Sequence, residues 1–460
     1  MTPPTYDLVV RGRALVRLDD HPVGFSEVEI AVADGMIAGI AQTGAGLRGA
    51  IEVQLADDEV LLPGLVDTHV HINEPGRTEW EGFASATAAA AAGGVTTLLD
   101  MPLNSIPPTI SPEALSVKRA AATGAVAVDV GFWGGVVPSN LGSLRALWDA
   151  GVFGFKCFLA PSGVDEFEHL TVTQLDAALD EIAEFGGLLI VHAEDPDVLH
   201  AHENEGGTSY AAFMASRPPE AEVAAISHVI EGVRRTWQDG PGARAHILHL
   251  SSAAALPELR AARAEGLPIT VETCPHYLAL SSEGIPDGAT QYKCAPPIRD
   301  EANSEALWQA LLEGDIDLIV TDHSPSTAAL KFAGDGDFGL AWGGIAGLQL
   351  GLSAVWTAAA DRDIPLERGV EWMSSATARV AGLLDRGRLE VGCRADLAVF
   401  APDARRRIHA AELLHKNPVS AYDGAELRGE VRRTFLAGAE VGAGSGTGRL
   451  LTRNAPVTSP

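Results

Sequence analysis

Two histidines, His69 and His71, stand at the end of an apolar run within DTHVHINEPGR (Asp67 to Arg77). Side chains two apart on a strand share a face, so both imidazoles can reach a single ion. An isolated pair of this kind reads more simply as unrelated polar residues at a strand end. Here, however, polar and ionisable groups close later apolar runs as well: Lys156 in GFKCFL, His192 in IVHAED, His249 in ILHLSS and Asp322 in IVTDHSP. A lysine or aspartate in that position is costly to bury unless it is paired or ligated. The recurrence points to a cluster built at one end of a strand array.

The array itself can be read. Eight apolar, strand-like runs alternate with Ala/Leu/Glu-rich helical stretches: Leu65 to His71, Val95 to Met101, Val128 to Trp133, Val152 to Phe158, Leu188 to His192, His246 to Leu250, Ile269 to Thr273 and Ile316 to Asp322. That alternation predicts parallel strands joined by crossover helices. Eight units without a glycine-rich phosphate turn after the first fit a (β/α)8 barrel better than a doubly wound sheet, and barrels place catalytic groups at the carboxyl ends of their strands. The run Ala84 to Ala92 predicts a tightly packed crossover helix. Short β-rich pieces at Val28 to Val32 and Met36 to Ile40, split by Asp34-Gly35, predict a hairpin, and similar texture returns at Ala395 to Phe400 and Val431 to Ala437. The expected organisation is therefore a barrel over 61–385 and a small β domain from 1–60 plus 386–460. The tail from Gly442 to Pro460, rich in Gly, Ser, Thr and Pro, is expected to fray.

Composition narrows the function classes. The 460 residues are 46% hydrophobic and 20% charged, which fits packed cores rather than disorder. With 61 acids against 33 bases the formal charge is −28, so nucleic acid and anionic membrane surfaces are poor partners. No apolar run reaches the ~20 residues that cross a bilayer, and Met1 to Asp20 lacks the pattern of a secretory signal. Cys157, Cys274, Cys294 and Cys393 form no CxxC pair, so reduced thiols and a cytoplasmic location are expected.

The set HVH, a lysine on the fourth strand, single histidines on the fifth and sixth and an aspartate on the eighth resembles the amidohydrolase superfamily in its cyclic-amidohydrolase branch. Within that branch the chain is similar to the allantoinases, from about Asp7 to about Phe435, through DMPLNSIPPT (Asp100 to Thr109), CPHYL (Cys274 to Leu278), KCAPPIRD (Lys293 to Asp300) and AWGGIAGLQ (Ala341 to Gln349). The resemblance implies that His69, His71 and Asp322 hold one divalent metal and that His192 and His249 hold a second. Lys156 would bridge them as a carbamate formed from carbon dioxide (N6-carboxylysine). An ammonium cannot ligate a cation, whereas a carbamate is an anionic ligand with two oxygens, able to hold metals about 3.5–4 Å apart. A snorkelling lysine is the plainer fate of Lys156, but every other member of the set is present. Zinc suits such donors, and cobalt, manganese, iron or nickel can fill them. A hydroxide shared by the metals would attack the ring amide of allantoin, with Asp322 passing a proton to the departing nitrogen, giving allantoate in ureide breakdown. The resemblance also implies a homotetramer.

The substrate is read from neighbouring positions. Dihydroorotases carry an arginine two residues after the second histidine, where it grips a carboxylate; here Asn73 stands there, and a neutral amide cannot make that bidentate pair. Arg77 belongs to an EPGR stretch common to both branches. Asn104 in MPLN resembles a substrate contact, its amide both donating and accepting, although an asparagine ending a strand in a turn needs no ligand. Cys294 and Ser324 resemble positions whose main-chain groups hold the hydantoin edge. Dihydropyrimidinases and hydantoinases, the alternative, place a tyrosine shortly after the lysine; here Phe158, Leu159 and Ala160 follow Cys157. A catalytically silent homologue is opposed by the presence of all six ligand-type residues. His276 and His323 are expected as outer partners of the ligands, His246 as structural, His200 and His202 as solvated, and Cys157 as a buried small hydrophobe. The glycine-rich stretch Thr327 to Gly339 reads equally as an active-site loop or an inert surface loop.

Overall fold

The computed structural model describes residues 5–18, 22–237, 242–442 and 446–453. Its barrel strands are Leu65–Val70, Val95–Asp100, Asp129–Phe132 continued by Gly134–Gly135, Phe155–Phe158, Leu188–His192, Arg244–Ile247, Ile269–Thr273 and Leu318–Ile319. Each pairs in parallel with its sequence neighbour. Trp133 divides the third strand, whose first piece pairs with the second strand and whose last two residues pair with the fourth. The ring closes where Val70 bridges His323 and the His71 N–H donates to the His323 carbonyl at 2.8 Å. These runs are buried nearly end to end, as expected of parallel strands covered on both faces. Leu98, Val130, Phe155, Leu189, Ile247 and Val271 belong to one continuous core with the surrounding helices.

The crossover helix Phe83–Ala92 buries Ala86, Ala89, Ala90 and Ala91, because alanine alone lets its backbone lie close to the strands. The expected hairpin joins Gly24–Ala33 to Met36–Gln42, with Asp34 and Gly35 at φ 51° and 71°, the turn that matches strand twist. That hairpin belongs to an eight-stranded sheet built from both ends of the chain, in which Val60–Pro63 pairs with Leu397–Arg407. Leu8, Val10, Ile30, Leu61, Leu397 and Val399 form its separate core.

Three expectations need correction. The sixth and eighth strands end earlier than the apolar runs suggest, at Ile247 and Ile319. His249 and Asp322 lie beyond them at φ 34° and 44°, left-handed conformations that cannot continue a ladder. Part of the expected loose tail is also ordered. Gly446–Arg453 runs along the third strand, with the Val130 N–H donating to Arg449 O and the Leu451 N–H to Val130 O, both in the range 2.8–2.9 Å. The remaining tail positions, 443–445 and 454–460, lie outside the described residues.

Candidate metal centre

His69 is fully buried on the first strand, and the reason it faces inward is local. Its N–H donates to Asp67 Oδ1 at 3.0 Å, while Asp67 Oδ2 accepts from Thr321 N at 3.2 Å and Thr321 Oγ1 at 2.5 Å. Asp67 thus ties the first strand to the eighth and brings Asp322 beside the histidine pair. Burial pushes its carboxyl up to about 6. Asp322 Oδ1 sits 3.1 Å from His69 Nε2 and 3.6 Å from His71 Nε2. The loop after His71 is set by Asp100, which accepts from Ile72 N at 2.9 Å and from the buried Lys118 Nζ at 2.6 Å.

The other three donors converge on the same place. Lys156 Nζ lies 3.3 Å from His69 Nε2, and His192 Nδ1 lies 3.0 Å from His249 Nε2. Ring centroids of His69 and His249 are 5.3 Å apart. Ligand atoms of His69, His249 and Asp322 all fall within 4.8 Å of one another. Six donors from five strands or strand ends, His69 and His71 both coming from the first, therefore share one barrel mouth.

Electrostatics prepare this cluster for cations. Burial holds His69, His71 and His249 well below the ordinary histidine range and lowers His192, so the imidazoles are neutral and able to ligate a cation. The Nδ1 atoms of His71 and His249 are buried with no partner among the described residues. Burial likewise lowers Lys156, favouring the free amine that reacts with carbon dioxide, and raises Asp322. Neutral imidazoles with unpartnered nitrogens, beside an amine and a carboxyl, fit the two divalent metals.

Two outer carboxylates orient the candidate ligands, and neither is singled out by the sequence pattern. Glu272 receives His69 Nδ1 at 2.5 Å, His246 Nε2 at 2.9 Å and the His249 N–H at 3.2 Å. Its place inside the β-branched run ITVET was the available signal. Glu194 holds His192 Nε2 at 2.7 Å and pairs with Arg217. Burial would raise Glu194, yet Arg217 and His192 outweigh it and hold the carboxyl at about 2. These pairs fix tautomers, as carboxylates behind metal-binding histidines do. His246, expected to be merely structural, is thus part of the support.

The expected outer partners divide. His323 turns away, its Nε2 3.2 Å from Glu81, and serves the site through its carbonyl. His276 keeps its Nε2 buried and unpartnered, near enough to Cys274 and Asp322 for these three to form a second candidate metal group. Asn73 and Asn104 both take φ 65°, so with His249 and Asp322 four strained non-glycine residues rim the site. Asn73 Nδ2 donates to Pro325 O at 3.3 Å, leaving Oδ1 buried without a donor among the described residues. The Asn104 carbonyl accepts from Arg77, which also pairs with Glu166. Ser324 is fixed through its N–H to Ile345 O at 3.0 Å, and Cys294 is buried. Phe158, in the stretch after Lys156 where hydantoinases place a tyrosine, stacks on His192 at 4.5 Å.

The stretch after the eighth strand is docked rather than loose. Lys331 is buried and donates to Lys293 O at 2.9 Å, Trp342 O at 3.0 Å and Gly344 O. Phe338 is buried against Tyr210 and Phe213, and Asp337 accepts from Gly207 N at 2.7 Å.

The chain is similar to known proteins over nearly its whole length. Residues 60–441 match the amidohydrolase family. An allantoinase of Streptomyces avermitilis is 52% identical over 97% of this chain and 99% of its own length. An allantoinase of Arabidopsis thaliana is 43% identical over 90% of this chain and 86% of its own length. Among solved structures, the L-hydantoinase (dihydropyrimidinase) of Arthrobacter aurescens superposes with a TM-score of 0.90 at 29% identity, covering 98% of this chain and all of that one.

Proposed function

The chain belongs to the amidohydrolase family, and from that premise we propose that it is a metal-dependent cyclic amidase that opens the hydantoin ring of allantoin to allantoate. The observation that carries the reading is the convergence of His69, His71, Lys156, His192, His249 and Asp322 at one barrel mouth. His69, His71 and Asp322 would hold one metal, His192 and His249 the other, with carbamylated Lys156 between them. Two divalent cations bound there supply Lewis acidity and a nucleophile at neutral pH. Zinc is the ion that imidazole and carboxylate donors favour.

The protein's own groups do the rest. Asp322, with Oδ1 beside both imidazoles, accepts the proton released as the amide carbonyl is attacked. It returns that proton to the ring nitrogen as the C–N bond breaks. Burial, which raises its proton affinity, suits this shuttle. An uncharged ring is supported by Asn73, whose buried Oδ1, without a partner among the described residues, is ready for an N–H and offers no charge to a carboxylate. Asn104 and the main chain at Cys294 and Ser324 are proposed as further contacts.

The reading extends to the setting: an enzyme of purine-derived ureide catabolism, working in the cytoplasm as a homotetramer. Buried free cysteines support the reducing compartment. Among the described residues no helix is long and apolar enough to cross a membrane. The similarity to L-hydantoinase favours, as a second reading, activity on simple hydantoins. A panel of allantoin, hydantoin, dihydrouracil and dihydroorotate with metal-loaded protein separates the two. Fastest turnover of allantoin supports the proposal, and faster turnover of dihydrouracil or hydantoin overturns it.

A further inference from the structure

A cavity lies at the other end of the barrel from the histidine cluster. Its volume is about 630 Å³, and its wall includes Asp129, Phe153, Gly186 and Arg244, which open or precede the third to sixth strands. It therefore faces away from the histidine cluster, whose members close their strands. The remaining wall comes from 381–386 and from the ordered tail segment 449–453. A volume of this size is typical of small-molecule sites.

Its charge is unlike the rest of the molecule. The net charge of the chain is −28, and guanidinium groups elsewhere are commonly matched by acids, as in Arg234 with Glu265, Arg260 with Asp315 and Arg433 with Glu440. Five arginines line this cavity against two aspartates. Arg386 and Arg394 are satisfied by Asp129, Asp385 and Asp396. Arg453 spends its donors on Trp148 O and Val152 O and lies over the Trp148 ring; Asp149 acts on it only at longer range, and no carboxylate among the described residues forms a close ion pair with it. Arg244 and Arg449 make no side-chain hydrogen bond or ion pair to any described residue. Partial desolvation lowers the Arg244 pKa, and no acid among the described residues offsets it.

We propose that this cavity binds a small organic anion carrying at least two acidic groups. Arg244 and Arg449 would grip the acids, and Trp148, Phe153, Leu383 and Leu451 would cover the carbon body. A guanidinium presents a planar fork that matches carboxylate or phosphate oxygens in pairs, and each such charge-assisted bond is stronger where water is partly excluded. A purely structural role accounts for Arg386, Arg394 and Arg453, which tie strands and tail together. Among the described residues it leaves the Arg244 and Arg449 side chains without a task.

The test is titration calorimetry of the intact, metal-loaded protein with citrate and with 3-phosphoglycerate, against acetate at matched ionic strength. The two probes distinguish carboxylate from phosphate as the preferred acid. Saturable binding of at least one probe is expected, weakened at least tenfold by the double substitution Arg244→Gln/Arg449→Gln, with turnover of the cyclic ureide unchanged. Both side chains are accessible, so this variant should fold, and an unaltered melting temperature verifies that. Absence of saturable binding, an equal response to acetate, or unchanged affinity in the double variant overturns the proposal. None of these outcomes bears on the hydrolase reading.

Discussion

Substituting Glu272 by glutamine tests how the donor cluster is held without touching a proposed ligand. The native carboxylate serves three groups at once: His69 Nδ1 at 2.5 Å, His246 Nε2 at 2.9 Å and the His249 N–H at 3.2 Å. Glutamine preserves the volume but offers one acceptor and one donor. If its oxygen faces His69 and His249, its NH2 faces His246 Nε2, which must then become an acceptor and donate from Nδ1 to Thr270 Oγ1, now 2.7 Å away. That rearrangement is possible, so the variant should fold. What is lost is the anion behind His69, which raises the basicity of the ligating nitrogen. Removing such an outer carboxylate lowers metal affinity by about 10–100-fold, equivalent to about 1.4–2.7 kcal/mol. Competition against a chromogenic chelator measures this directly, and the hydrolytic rate at limiting metal should fall in parallel. Wild-type metal affinity and wild-type activity in Glu272→Gln would refute the claim that this residue orients the site.

Lys156→Ala should lose both metals together with activity, read by metal content per chain; full metal content and activity would contradict a bridging role. Gly344→Ala places a Cβ 2.4 Å from the Ser324 carbonyl oxygen at a backbone φ of +118°. It should cost on the order of 1–3 kcal/mol in thermal stability, and it should raise KM for the ureide more than it lowers kcat; an unchanged KM would remove Ser324 from the substrate contacts. Metal-free protein should lose stability steeply on mild acidification. His276 and His415 are buried and held at about 3 and about 4, so the unfolded chain binds protons below the usual histidine pKa while the folded chain does not. Stability then falls with falling pH by roughly 1.4 kcal/mol per unit for each of them between about pH 6 and pH 4.5. Asp67, held at about 6, and the raised Asp322 contribute the opposite slope, so the check is a difference. Denaturant melts of His415→Gln should show a slope shallower by that amount than the unsubstituted protein, and equal slopes would show that this ring is not buried as a neutral group.

Much of the barrel was legible because parallel strands buried on both faces write themselves as short apolar runs. The ends of those runs were less so. His249 and Asp322 sit in left-handed backbone beyond the sixth and eighth strands, and nothing in ILHLSS or IVTDHSP marks where the ladder stops. The donors were readable because each is an ionisable residue closing an apolar run. Their supports were harder to see, because Glu272 lies inside its strand and Glu194 only just beyond its own. The two-residue spacing that paired His69 with His71 also separates His192 from Glu194, so that contact lay within reach of the same rule. The partnership of Glu272 with His69 spans 203 positions and depends on barrel closure, which periodicity does not encode. The ordered tail segment at 446–453 was misread for a different reason: glycine-rich chain can still be held by main-chain hydrogen bonds to an open strand edge.

Crystals of the metal-loaded protein, measured at the absorption edge of the bound element, test the centre itself. The account predicts two anomalous peaks in one barrel mouth, one bounded by His69, His71 and Asp322 and the other by His192 and His249. Density for a carboxylate group should extend from Lys156 Nζ between the peaks. A single peak, peaks away from these side chains, or a bare lysine beside two ions would contradict it.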